Sequence, residues 1–198
     1  MGARDPRHVF MPHKYVFPGG GVDEDDERLQ LPVQLPSDVL DRLTRAASVS
    51  RARALALAAI RETFEETGLI VGQPCVERVL PKAVPTSWQS FFEHQCMPSL
   101  DKLAFVGRAI TPEGPPRRFD ARFLMIDARH VHGTLAGSGE LHDLDWYSLD
   151  HALKLPLGEI TELVLRLLQA HLSGTMERFR ATSPMYWALN GVELVEHL

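Results

Sequence analysis

The sequence predicts an α/β sandwich, and three observations carry that reading. Helix-forming residues dominate two long segments, 52–67 and 157–172. Between them lie short runs, 103–110 and 118–126, whose apolar residues recur at a spacing near two, as strands require. The composition, 198 residues with 44% hydrophobic and 24% charged, is that of a folded chain of single-domain size. Strands interleaved with two or three helices then imply a layered α/β architecture.

The elements follow in order. Residues 14–18, Lys-Tyr-Val-Phe-Pro, predict a short strand stopped by Pro18 and by Gly19, Gly20 and Gly21. Residues 23–27 are all acidic and read as a solvated loop, with Asp23 alone placed near a site. Pro32 and Pro36 exclude a long helix in the polar stretch that follows, while Ser37 and Asp38 can cap a short one over 39–47. Segment 52–67 is the clearest helix, and Gly68 suits a left-handed turn at its end. Residues 69–71 predict a buried strand, 88–97 a short helix, and 111–116 a turn between the strands at 103–110 and 118–126. Residues 144–149 predict a further strand. The second amphipathic helix, 157–172, carries Leu157, Ile160, Val164, Leu167 and Leu168 on one stripe. Tyr186 and Trp187, followed by Gly191, predict a small hairpin packed on the domain.

Charge and composition exclude several functions. A net charge of −5 argues against a general binder of nucleic acid or anionic membranes. The longest apolar run, 54–60, is far short of the ~20 residues that a membrane span needs. No signal peptide is legible near Met1, and Cys75 and Cys96 show no zinc spacing, so a cytoplasmic protein with reduced thiols is the expectation. The nine histidines show no zinc arrangement either.

The chemistry concentrates on the first long helix. At about 100° per residue, Leu57, Ile60 and Phe64 fall within roughly 60° of each other and form the buried stripe. Glu62, Glu65 and Glu66 fall within an arc of about 100° on the opposite side, at positions i, i+3 and i+4. Such a face is either a solvated acidic surface or a holder for a hard divalent cation, because Mg²⁺ and Mn²⁺ prefer oxygen ligands. Spacing alone leaves both readings open.

Residues 61–69, Arg-Glu-Thr-Phe-Glu-Glu-Thr-Gly-Leu, resemble the core of the Nudix box, with Thr63 where the family has a bulky apolar residue. Residues 17–23, Phe-Pro-Gly-Gly-Gly-Val-Asp, resemble the segment that opens the box. Thr111-Pro112, Arg118-Phe119-Asp120, Gly139-Glu140-Leu141 and Trp146 are similar to a branch containing peroxisomal-type coenzyme A diphosphatases. The resemblance implies a Nudix α/β/α sandwich with a mixed sheet, formed as a single domain over 1–198, with 24–50 an insertion loop and 175–198 a C-terminal extension. It implies metal-dependent hydrolysis of a nucleoside diphosphate linked to another moiety. Glu62, Glu65 and Glu66 would hold Mg²⁺ or Mn²⁺, Arg61 would orient a carboxylate, and Gly19, Gly20 and Gly21 would let the backbone approach the site.

Three further departures accompany the resemblance. Gly20 and Arg61 are 41 positions apart, 27 more than in the family's box, although the named branch also carries an insertion there. The box glutamate expected eight residues before the Arg falls on Arg53, so that charge is absent or comes from the acidic stretch. Relatives also usually have a further strand or two upstream, so either the chain starts late, with Met1 inside the first strand, or the sheet is completed another way, for which an exposed edge open to a second copy would make a homodimer.

Other residues carry two readings each. Glu140 completes the site or acts as general base, unless it is a plain surface glutamate, and Glu62 competes for the base role. Lys14, Arg117 and Arg118 contact phosphates or are solvated. Trp88, Phe91 and Phe92 stack on a ligand or belong to the core or a lid. The substrate favoured by the branch is coenzyme A or a derivative, although Met11 and His13 stand where that branch has its His and Gly. ADP-ribose, dinucleotides and nucleotide sugars stay open, as does a non-catalytic nucleotide-binding module.

Overall fold

The computed structural model describes residues 1–7, 11–76, 80–111, 118–174, 186–189 and 192–195. In chain order the elements are β1 (Gly2–Arg4), β2 (Tyr15–Val16), α1 (Glu24–Arg28), α2 (Ser37–Thr44), α3 (Val49–Thr67), β3 (Ile70–Pro74), α4 (Gln89–Glu93), β4 (Cys96–Pro98), β5 (Ala104–Ile110), β6 (Asp120–Met125), β7 (Val131–His132), β8 (Leu141–His142), α5 (Leu149–Ala152), α6 (Glu159–Leu172), β9 (Tyr186–Leu189) and β10 (Val192–Val195). Short 3₁₀ turns occupy Thr86–Trp88, Leu100–Lys102 and Ala128–His130. Among the described residues no helix is long and apolar enough to cross a membrane. The chain forms two compact units: unit one is Met1–Phe17, Phe105–Phe123 and Asp145–Leu198, and unit two is Pro18–Ala104 and Leu124–Leu144.

Unit two is built around α3. The helix starts earlier than its strong helix formers suggest, because the Ser48 hydroxyl accepts from the Arg51 N–H and closes the N-terminus. Gly68 ends it in the left-handed conformation, φ 71°, with its N–H on the Phe64 carbonyl. Leu57 and Ile60 are buried, and Phe64 meets Phe91 edge-on at 5.5 Å. Antiparallel β4-β3-β7 lies alongside, in register Gly72↔Pro98 and Ile70↔His132. The helix expected over 88–97 is shorter: after α4 the chain turns at Gln95, φ 53°, and enters β4. Trp88, Phe91 and Phe92 are all buried, so of their two readings the structure selects the core.

The acidic stretch is a correction to the sequence reading. It forms the helix α1, opened by an Asp23 capping box with Asp26, and Asp26 is buried. A run of acids at a helix N-terminus complements the dipole and the orphan N–H groups. The insertion is therefore ordered: α2 buries Val39 and Leu43, although Pro36 takes the cap position and no side chain caps the helix. Arg53 reaches back to it, donating to the carbonyls of Leu31 and Val33 at 2.9 Å each.

In unit one, β1 and β2 pair antiparallel with Gly2 opposite Val16, and a parallel bridge joins Tyr15 to Leu157. A four-stranded sheet runs β6-β5-β10-β9, in which the expected hairpin, Val192 opposite Leu189, adds to β5. Helix α6 packs Leu163 and Ile160 with Ala109 and Phe123. Its burial is broader than the expected stripe, taking in Leu163 and Leu165 as well as Val164 and Leu167. The strand expected over 144–149 is absent: the Ser148 hydroxyl accepts from the His151 N–H and starts α5, and Trp146 is 61% exposed. The turn expected at 111–116 lies, apart from Thr111, outside the described residues.

Candidate functional site

The site is the carboxylate face of α3, within unit two. Its three glutamates differ from the uniform outward face that helical spacing suggests: Glu65 is exposed, Glu62 is intermediate and Glu66 is buried. The strap of glycines after Pro18 makes the difference. The Gly19 N–H donates to Glu66 Oε2 at 2.9 Å, and the Gly21 carbonyl accepts from Arg61 Nη2 at 2.9 Å. Between them Gly20 lies so close that a Cβ there would run into the Glu62 carboxylate. Any larger residue there displaces the Glu62 carboxylate, the far end of a flexible side chain, so glycine is what lets the strap and the carboxylate approach in this arrangement.

Arg61 ties this face together. Nε and Nη2 fork onto Asp26 at 3.0 and 2.9 Å, Nη2 also reaches Gly21, and Nη1 donates to Glu62 Oε1 and Glu65 Oε2, both at 2.9 Å. All five guanidinium hydrogens therefore have acceptors. Asp26 is the partner that counting back eight residues from Arg61 misses, since that count lands on Arg53. Counting forward finds it: Asp26 stands six residues after Gly20, and the extra residues emerge beyond it. The acid that pairs with Arg61 thus comes from the acidic stretch, as Asp26.

Electrostatics follow from this crowding. Burial pushes the Glu62 pKa up; Arg61 pulls it down, and the charges of Glu65 and Glu140 push it up again, leaving it raised. Burial alone would lower the Arg61 pKa, but Asp26 first and then Glu62 and Glu65 outweigh that and raise it. A carboxylate raised by burial first, and then by neighbouring negative charge, is a better proton acceptor than an ordinary one and a suitable neighbour for a cation.

Among the described residues, no group of three or more His, Cys, Asp or Glu side chains is arranged to hold a metal ion. The donor chemistry nevertheless fits a hard cation. The face offers only carboxylate oxygens, and Mg²⁺ needs one or two of them because it keeps several waters. Glu140 is exposed, two residues before the end of β8, and its charge is felt at Glu62. Arg118 belongs to unit one, where its Nε donates to the Thr111 carbonyl, and Arg117 lies outside the described residues.

No protein-family model matches the chain, and no curated protein is similar to it. Among solved structures, the chain is similar to a NUDIX hydrolase from Alicyclobacillus acidocaldarius, with a TM-score of 0.60 at 22% identity, over 85% of this chain and 82% of that one. The chain therefore has the mixed α/β fold of a Nudix hydrolase.

Proposed function

We propose that the protein hydrolyses the diphosphate linkage of a nucleoside diphosphate joined to another moiety, giving two phosphate-bearing products. The observation that carries this reading is the meeting of two sequence segments 41 positions apart: the glycine strap lies on the α3 carboxylates, and Arg61 locks both to Asp26. In that arrangement Glu62, Glu65 and Glu66 are the residues that hold Mg²⁺ or Mn²⁺. When bound, such an ion neutralises phosphate charge and lowers the pKa of water. Arg61 fixes the aim of Glu62 and Glu65, and the strap fixes Glu66. Glu62 accepts a proton from water, its raised pKa suiting that task, and Glu140 is the other carboxylate able to do so. Displacement at a diphosphate needs alignment and charge compensation more than covalent chemistry, which is what this face supplies.

Coenzyme A or a derivative is the first substrate to try, on the resemblance of Thr111, Arg118, Gly139-Glu140-Leu141 and Trp146 to that branch. The test is turnover of coenzyme A, ADP-ribose, diadenosine polyphosphates and nucleotide sugars with Mg²⁺ and with Mn²⁺. Glu65→Gln and Glu66→Gln are each expected to lower metal-dependent kcat by more than the ~100-fold typical of a lost outer partner. Unchanged turnover in both variants would leave the carboxylate face a solvated surface, and binding without turnover in the wild type would make the protein a nucleotide-binding module.

A further inference from the structure

We propose that Trp88 is a positioning residue for the carboxylate face, acting through Asp26 and Arg61; the proposal rests on the diphosphatase reading above. A buried position inside an aromatic cluster asks only for apolar volume, which a phenylalanine supplies. Trp88 does supply it, meeting Phe91 at 5.3 Å and Phe92 at 6.1 Å. It also brings a polar N–H into the interior, and that group is costly to bury unless it is used. Here it donates to Asp26 Oδ1 at 2.9 Å, from a residue 62 positions away in the chain.

The Asp26 carboxylate is filled by four donors. Oδ1 accepts from Arg61 Nε and the Trp88 indole, while Oδ2 accepts from Arg61 Nη2 and the Asp23 N–H at 2.8 Å. An ionised carboxylate has about four acceptor sites, so the set is complete. Its χ2 torsion is intrinsically soft, and only its partners hold its plane. The indole and the capping N–H grip opposite oxygens, which leaves Arg61 one orientation for its fork. The far edge of that same rigid guanidinium carries Glu62 and Glu65. Asp25 braces the turn that presents the indole, with its Oδ2 accepting from the Ser87 N–H at 3.1 Å and the Ser87 hydroxyl at 3.2 Å. Three steps thus run from indole to carboxylate face: Trp88 to Asp26, Asp26 to Arg61, and Arg61 to Glu62 and Glu65.

Trp88→Phe keeps the ring and removes the N–H. Calorimetry with Mn²⁺ alone should show affinity about 3- to 10-fold weaker, below the 10–100-fold typical of groups bonded directly to a metal ligand. On the best substrate of the screen, kcat should fall by a similar factor with KM unchanged. Phe92→Leu, which loosens the same cluster without touching Asp26, should lower the melting temperature and leave Mn²⁺ affinity as it is. In ¹⁵N-labelled wild-type protein, the Trp88 indole N–H resonance, assigned through bonds, should move on Mg²⁺ addition with the midpoint that calorimetry gives for Mg²⁺. An active wild type whose Trp88→Phe variant matches it in affinity and kcat overturns this proposal alone, and so does an indole resonance that stays put through metal saturation. A wild type that neither binds Mn²⁺ nor turns over any diphosphate overturns this proposal together with its parent reading.

Discussion

Each unit of the molecule contains an arginine forked onto an aspartate, and the two pairs have different worth. In unit two, Arg61 and Asp26 have side chains 6% and 0% exposed. In unit one, Arg108 forks onto Asp120 at 2.6 and 2.8 Å, with Arg122 on the same carboxylate, but the side chains of Arg108 and Asp120 are 25% and 40% exposed. The shorter distances belong to the weaker pair. Water and salt screen the exposed fork, and such pairs contribute about 0–1 kcal/mol. The buried fork has no solvent to fall back on, so removing one partner strands the other. Surroundings, rather than contact length, decide which of two identical pairs a site depends on.

The sharpest way to break that comparison is Asp26→Ala. It leaves the buried Arg61 with only Gly21, Glu62 and Glu65, strands the buried Trp88 indole N–H, and should cost about 3–5 kcal/mol, lowering the melting temperature by roughly 6–20 °C. Calorimetric melting of the variant beside wild type measures it, and a loss under about 1 kcal/mol would put the two pairs on one footing. Gly20→Ala comes next. It leaves the Arg61–Asp26 fork intact but drives the Glu62 carboxylate aside, so kcat should fall roughly tenfold, equivalent to about 1.4 kcal/mol in the barrier, with melting little changed. Steady-state kinetics on the best substrate decides this.

Asp120→Asn should have the smallest effect, under about 1 kcal/mol near pH 7. It adds a pH signature. Hydrogen bonds from Arg108 first, then the charges of Arg122 and Arg108, outweigh partial burial and hold the Asp120 pKa below its ordinary 3.8. Its contribution is therefore present above that value and fades as pH falls through the lower native one. Wild type and Asp120→Asn should converge in stability as a denaturation series is taken into acid below about pH 4, and a gap that widens there would contradict the assignment.

What the sequence made legible was local. The α3 stripe, its Gly68 ending, the α6 helix and the terminal hairpin all follow from periodicity or turn chemistry within a few residues, and the structure contains each. Asp26 was not legible as a buried residue because it stands inside a run of five acids, 23–27, that reads as solvated. It is drawn inside by Arg61, 35 positions away, and by the Trp88 indole, 62 positions away. Glu66 escaped the helical wheel for the same reason: the wheel knows its own helix but not the Gly19 N–H laid over it. Residues 144–149 suggested a strand, whereas the Ser148 hydroxyl caps a short helix that begins at Leu149. The carboxylate face was found from spacing, while its supports came from chain crossings that no spacing encodes.

The complete use of the Arg61 guanidinium has a consequence for what can replace it. A lysine ammonium would preserve the charge but brings three hydrogens on a mobile tip, against five in a fixed plane. Two of the Asp26, Gly21, Glu62 and Glu65 contacts would go unmet, and no planar spacer would keep the remaining carboxylates at a set separation. The position selects for shape as well as sign: positive charge there is replaceable, and the flat five-toothed connector is not.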